Sequence, residues 1–113
     1  MDTILLVYAH DFLRRYLAEI LETQGYRAIQ ARHTDDAQHH LRAGVKLILC
    51  EDKMATDMMQ EGEKWGIPVI VTTTRTDMDG PAPADPTQNF LEIPFSVDEL
   101  LVRIAATLGR TDS

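Results

Sequence analysis

Leu47-Ile48-Leu49-Cys50-Glu51 is a run of four apolar residues that ends in an acid and leads into Asp52-Lys53-Met54. A short apolar run bounded by charge is the pattern of a strand buried on both faces, as in the middle of a parallel sheet. In open α/β sheets, ligands and chemistry collect just beyond the carboxyl ends of such strands. Glu51 stands at such an end and is the first candidate for a functional residue.

Working outward from it, strand and helix patterns alternate. Ile4-Leu5-Leu6-Val7-Tyr8 reads as a first buried strand. From Asp11, a plausible N-cap, the period changes, and Phe12, Leu13, Tyr16, Leu17, Ile20 and Leu21 form one broad apolar stripe at helical spacing. Gly25 suits the left-handed residue after that helix, with Tyr26 folding back on Leu21. Arg27 to Arg32 alternates polar and apolar, as a half-exposed edge strand does. Thr34 is placed to cap a short helix with Ala37 and Leu41 inward, ending near Gly44. A third helix spans Ala55 to Trp65, and Ile67 to Thr73 is a fourth strand with Pro68 near its start. Asp77 to Gln88 carries Gly80, Pro81, Pro83 and Pro86, which is incompatible with a regular helix of any length. Asn89 to Ile93 is a fifth strand. Pro94-Phe95 then leads to a capping box at Ser96-Val97-Asp98-Glu99 and a last helix that Gly109 ends.

This alternation predicts an α/β three-layer sandwich with a five-stranded parallel sheet in the order 2-1-3-4-5, flavodoxin-like, with the fourth helix missing or reduced. Residues 1–113 read as a single domain, near the commonest domain size. Apolar residues at 44% and charged ones at 26% are ordinary globular values. The net charge of −7 and the absence of a Lys/Arg run argue against nucleic acid and anionic membrane as partners. Neither a signal peptide nor a membrane span is visible, and one cysteine, Cys50, cannot form an internal disulfide. A reducing, cytoplasmic setting follows as the expectation.

In order and spacing, Ile4-Leu5-Leu6-Val7, Gly25-Tyr26, Leu47-Ile48-Leu49-Cys50, Ile67-Pro68-Val69-Ile70-Val71 and Pro94-Phe95 with Val97-Asp98-Glu99-Leu100-Leu101 resemble the CheY-like receiver domains of bacterial response regulators. The resemblance runs over essentially the whole chain. It implies an aspartate phosphoacceptor at the end of the third strand, a pair of acids after the first strand for Mg²⁺, a Ser/Thr ending the fourth strand and a lysine before Pro-Phe. Here the acidic pair falls on Tyr8 and Ala9, the acceptor on Glu51 and the lysine on Ile93; Thr73 alone matches. The resemblance also implies an interaction face around Phe90, Glu92 and Pro94, and a cis bond between Ile93 and Pro94.

These departures point away from phosphotransfer. Mg²⁺ wants one or two carboxylates plus water and phosphate, and Glu51 and the more distant Asp11 are what remains. Without the metal and the lysine, little neutralises a transferring phosphoryl group. Glu51 is also one methylene too long for the family's geometry. Either it imitates a permanently modified aspartate, or it is drift in a disused pocket. A partner for its carboxylate is expected from His10 first, then Lys53 or Thr73, or from water.

His33, His39 and His40 lie near or on the second helix, and the adjacent His39 and His40 point in different directions, so a solvated surface is expected there and not a metal site. His10, Glu51 and Thr73 lack any oxyanion or phosphate-loop motif. The expectation is a stand-alone, non-enzymatic pseudo-receiver that needs no cofactor and no metal. It would act by contact with another signalling protein or with itself. The alternative is a receiver, enzyme or ligand sensor working through an atypical pocket at Glu51.

Overall fold

Among the described residues ten segments of regular backbone follow one another: β1 (Thr3–Val7), α1 (Asp11–Thr23), β2 (Arg27–Ala31), α2 (Thr34–Gln38), β3 (Val45–Glu51), a 3-10 turn (Asp52–Met54), α3 (Ala55–Trp65), β4 (Val69–Thr74), β5 (Asn89–Ile93) and α4 (Val97–Thr111). They come from a computed structural model in which residues 2–42, 44–74, 89–93 and 97–111 are described, the side chains of 73–74, 89–93 and 110–111 excepted. The expected loss of a helix falls on residues 75–88, and the Ile93–Pro94 bond and the Ser96 cap involve residues 94–96. All lie outside the described residues.

The sheet is parallel, in the order β2-β1-β3-β4-β5. Four strands carry described side chains, and β5 enters through its backbone register along β4, from Ile70↔Asn89 to Thr74↔Ile93. The parallel α/β architecture and the edge position of β2 agree with the sequence pattern. Successive strand side chains point to opposite faces, so each strand feeds two cores. Ile4, Leu6, Tyr8, Leu47, Leu49 and Ile70 pack with Leu17 and Leu21 of α1 and with Leu100, Ile104 and Leu108 of α4. Leu5, Val7, Ile48, Cys50 and Val71 pack on the other face with Ala37, Leu41, Met54 and Met58. Leu47 to Cys50 are all fully buried, which is why that stretch shows no alternation.

Helix ends follow local chemistry, with four departures from expectation. The α1 ending is as anticipated: Gly25 takes φ 91°, Tyr26 N–H donates to Leu21 O at 3.1 Å and Gly25 N–H to Glu22 O at 3.1 Å. At its start, however, His10 and not Asp11 is the cap; His10 Nδ1 accepts from Leu13 N–H at 3.3 Å. Thr34 is likewise inside α2, whose cap position is His33 with no side-chain bond. Gly109 does not end α4, which runs on to Thr111. Phe12 and Tyr16 also leave the expected stripe. They are 75% and 46% exposed, because Arg14 and Ala18 take the buried positions beside Leu17 and Leu21.

One glycine constrains the packing. A Cβ on Gly62 would lie 2.6 Å from Ile67 O and 2.6 Å from Val69 Cγ2, so the C-terminal half of α3 approaches the entry to β4 too closely for any side chain. Gly62→Ala is therefore expected to destabilise by about 1–3 kcal/mol through overpacking. Gly109→Ala, in the exposed part of α4 with nothing within 4 Å, is expected to stabilise by roughly 0.5–1 kcal/mol. Urea denaturation of both variants checks the opposite signs.

Candidate functional site at the carboxyl ends of the strands

The parallel arrangement brings the ends of β1, β3 and β4 together, and with them Tyr8, Ala9, Glu51 and Thr72. Register pairs Val7 with Cys50 and Glu51 with Thr72. Tyr8 continues β1 by one residue, its N–H donating to Ala31 O at 3.0 Å, and its side chain is fully buried on the α1 and α4 face. Its phenol meets the Thr72 hydroxyl at 2.8 Å, and that hydroxyl reaches Cys50 O at 3.4 Å. A buried phenol with a partner of this kind is a satisfied polar group within an apolar core.

Glu51 is half-buried and turned toward the β1–α1 loop. Its Oε1 accepts the backbone N–H of Ala9 at 3.1 Å. This corrects the expectation of a His10 partner, since the His10 ring is committed to the cap of α1. Lys53 is exposed and makes no ion pair with Glu51 among the described residues. The Thr73 side chain and that of Ile93 lie outside the description, as do those of Phe90 and Glu92, and Pro94 altogether; the backbones of Thr73 and Ile93 pair with Glu92 and Thr74.

Asp11 and Arg14 supply the electrostatics. Arg14 is 6% exposed, and its guanidinium is used on three sides. It donates to Tyr8 O at 2.8 Å, to Asp11 Oδ1 at 2.7 Å and to Gln30 Oε1 at 3.3 Å. Asp11 also faces Arg32 at 3.6 Å. The bond from Arg14, then the charge of Arg32, hold the Asp11 carboxyl below its usual range. Arg14 thus ties α1 to the ends of β1 and β2.

Sequence reasoning missed Arg14, Gln30 and Thr72. Arg14 carried one faint signal, its i,i+3 spacing from Asp11 beside the buried Leu17. Thr72 was hidden because Thr72, Thr73 and Thr74 are identical in type. Among the described residues no three His, Cys, Asp or Glu side chains gather closely enough to hold a metal ion.

With this geometry, the architecture is that of response-regulator receiver domains, flavodoxin-like and doubly wound. A receiver domain protein from Clostridium thermocellum superposes with a TM-score of 0.85 at 18% identity, over 99% of this chain and 98% of that one. A CheY-like receiver domain protein from Methanospirillum hungatei JF-1 gives 0.79 at 19% identity, over 99% and 97%. A response regulator receiver modulated diguanylate cyclase from Pelobacter carbinolicus gives 0.80 at 20% identity, over 99% and 96%. At such identities the likeness is one of fold. No protein-family profile matches the chain, and no curated protein sequence is significantly similar to it.

Two substitutions test the site's construction. Arg14→Met should cost about 2–3 kcal/mol, since it removes charged donors from a buried carbonyl. It should also flatten the acid limb: a depressed Asp11 pKa gives stability present above the ordinary carboxylate range and lost as pH falls through the folded value. Tyr8→Phe should cost about 1 kcal/mol for the lost hydrogen bond. Burial, chiefly, raises the Tyr8 phenol above its usual value of 10.0 and pushes the Cys50 thiol from 9.0 up to about 12. Both groups are neutral when protonated, so the unfolded chain releases these protons first. Stability is full below the unfolded pKa values and falls as pH rises through them. Tyr8→Phe should remove one proton from that alkaline slope, measured by denaturation at stepped pH.

Proposed function

We propose that the chain is a receiver-type signalling domain that works without phosphorylation, as a protein-interaction module for another signalling protein or a second copy of itself. The observation that carries this reading is the state of the acceptor end of β3. Glu51 spends one oxygen on the Ala9 N–H, and the neighbouring acid position is filled by a buried phenol.

Two physical arguments connect that observation to the function. Mg²⁺ is held by hard oxygens in a near-octahedral shell, and usually takes one or two carboxylates with waters and phosphate oxygens. The side chains beside Glu51 supply a phenol hydroxyl already bonded to Thr72 and the methyl of Ala9, while Asp11 is engaged by Arg14 and Arg32. Of the three positions where receivers carry acids, Tyr8, Ala9 and Glu51, this chain keeps a carboxylate at one, where the chemistry wants several oxygens and a fixed cation. Ile93 stands in sequence where receivers place that cation. Phosphoryl transfer depends almost wholly on such positioning and charge stabilisation. No catalytic residue and no cofactor is assigned.

Glu51 is better read here as a permanent acid than as drift. It is half-exposed and hydrogen-bonded to the β1–α1 loop, so it keeps a charge-bearing group at the place where receivers add one. This arrangement favours one lasting conformation of the loop over a switch between two.

Incubating the protein with a small-molecule phosphodonor and millimolar Mg²⁺, then measuring intact mass, is expected to give no phosphoryl adduct. Calorimetric titration with Mg²⁺ is expected to give no saturable heat. A stoichiometric adduct that Glu51→Gln abolishes would overturn the reading and make Glu51 an acceptor.

A further inference from the structure

Helix α1 begins on a side chain that can take up a proton. His10 is its N-cap, with extended backbone at φ −78° and ψ 110°, and its Nδ1 accepts the Leu13 N–H at 3.3 Å. A ring nitrogen accepts only through a free lone pair, so this bond requires the neutral ring with its proton on Nε2. The common caps Asn, Asp, Ser and Thr keep their acceptor oxygen at neutral pH and in mild acid. Histidine does not, because it is the side chain that titrates in that range. His10 is exposed, so solvent protons reach the ring without any opening of the core.

We infer that the start of α1 is a proton-sensitive joint: protonation of His10 at Nδ1 removes the acceptor, frees the Leu13 N–H and loosens the first turn of the helix. Two effects act together once the proton arrives. The new Nδ1–H meets the Leu13 N–H, donor against donor, and the added charge stands at the positive end of the helix dipole.

The charged groups around this joint are Asp11 and Arg14 of α1, Arg32 after β2, Glu51 at the end of β3, and Asp52 and Lys53 in the turn that follows. Asp11 is taken by Arg14 and Arg32, Glu51 accepts the Ala9 N–H, and none of the ion pairs among the described residues involves His10. In this geometry the proton costs the cap and forms no ion pair in exchange. The loosening is local. Asp11 is held below its usual range and stays ionised while histidine titrates, so the bonds from Arg14 to Asp11 Oδ1 and to Tyr8 O persist. The affected residue adjoins Ala9, whose N–H Glu51 holds, so the proton is sensed at the loop of the candidate site. This goes beyond the proposed function and does not rest on it. A phosphorylated Glu51 would leave the joint standing, and a His10 that caps nothing would leave the reading of Glu51 standing.

Nuclear magnetic resonance on the full chain, from about pH 8 to about pH 5, tests it. In the wild type the neutral His10 ring is expected to carry its proton on Nε2, read from the ring nitrogen shifts. The Leu13 amide is expected to titrate with the same midpoint as that ring. Its protection against hydrogen exchange should fall about fivefold on the acid side, the factor set by the loss of an ordinary N-cap. His10→Asn, whose amide oxygen caps without titrating, should hold the Leu13 amide and its protection level across the range. His10→Ala should show the low protection at every pH. A neutral ring protonated on Nδ1 would overturn the inference, and so would a Leu13 amide that ignores the ring's titration. Both are read on the wild type, so the result stands whether or not the variants fold. With the variants folded, a Leu13 amide that titrates unchanged in His10→Asn would also overturn it.

Discussion

Covering both faces of the sheet is the constraint on which the rest of this structure depends. β1 and β3 are apolar on each side because α1 and α4 lie on one face and α2 and α3 on the other. The covered stretches of these strands, Ile4 to Val7 and Leu47 to Cys50, carry no charge, and the one charge within β3 before its end, Lys46, is exposed. Polar chemistry is therefore displaced to the strand ends, and the parallel direction gathers the ends of β1, β3 and β4 at one edge. The location of the site is a consequence of burial before it is a consequence of any particular side chain.

At that edge the polar groups are mutually occupied. The Tyr8 phenol is spent on Thr72, the Glu51 carboxylate on the Ala9 amide, and the Arg14 guanidinium on Tyr8 O, Asp11 and Gln30. No buried side-chain nitrogen or oxygen among the described residues lacks a partner. Closed networks of this kind specify one arrangement, because each alternative leaves a group unpaired in a region of low dielectric. A working phosphorylation site has the opposite need, for oxygens kept free for a metal and an incoming phosphate. Here the polar groups at the edge have their partners within the protein.

The surface is not uniform. α1 divides its residues between a buried row, Arg14, Leu17, Ala18 and Leu21, and an outward row that includes a stacked aromatic pair. Arg14 belongs to both the pocket and the packing of α1, so the helix that presents the aromatic rings is anchored by the same guanidinium that closes the strand ends.

Much of the fold was legible in the chain, because periodicity and breakers are local. The four apolar residues before Glu51, the helical spacing after Asp11, Gly25 with Tyr26, and the span from Ala55 to Trp65 each carry their meaning within a dozen residues. What the chain by itself could not tell was which partner each polar group takes. Glu51 bonds the Ala9 amide, 42 residues away, and a backbone N–H leaves no mark in a sequence of side chains. Tyr8 meets Thr72 across 64 residues, one position before the threonine that the receiver resemblance picks out. The amphipathic stripe of α1 also read one way and folded another. Periodicity gives the width of an apolar face, but the crossing of α1 over the sheet decides which part is covered, and it buried Arg14 while leaving Phe12 in water. Local pattern determined the elements; the pairing of distant groups and the choice of buried face were decided only when the elements packed.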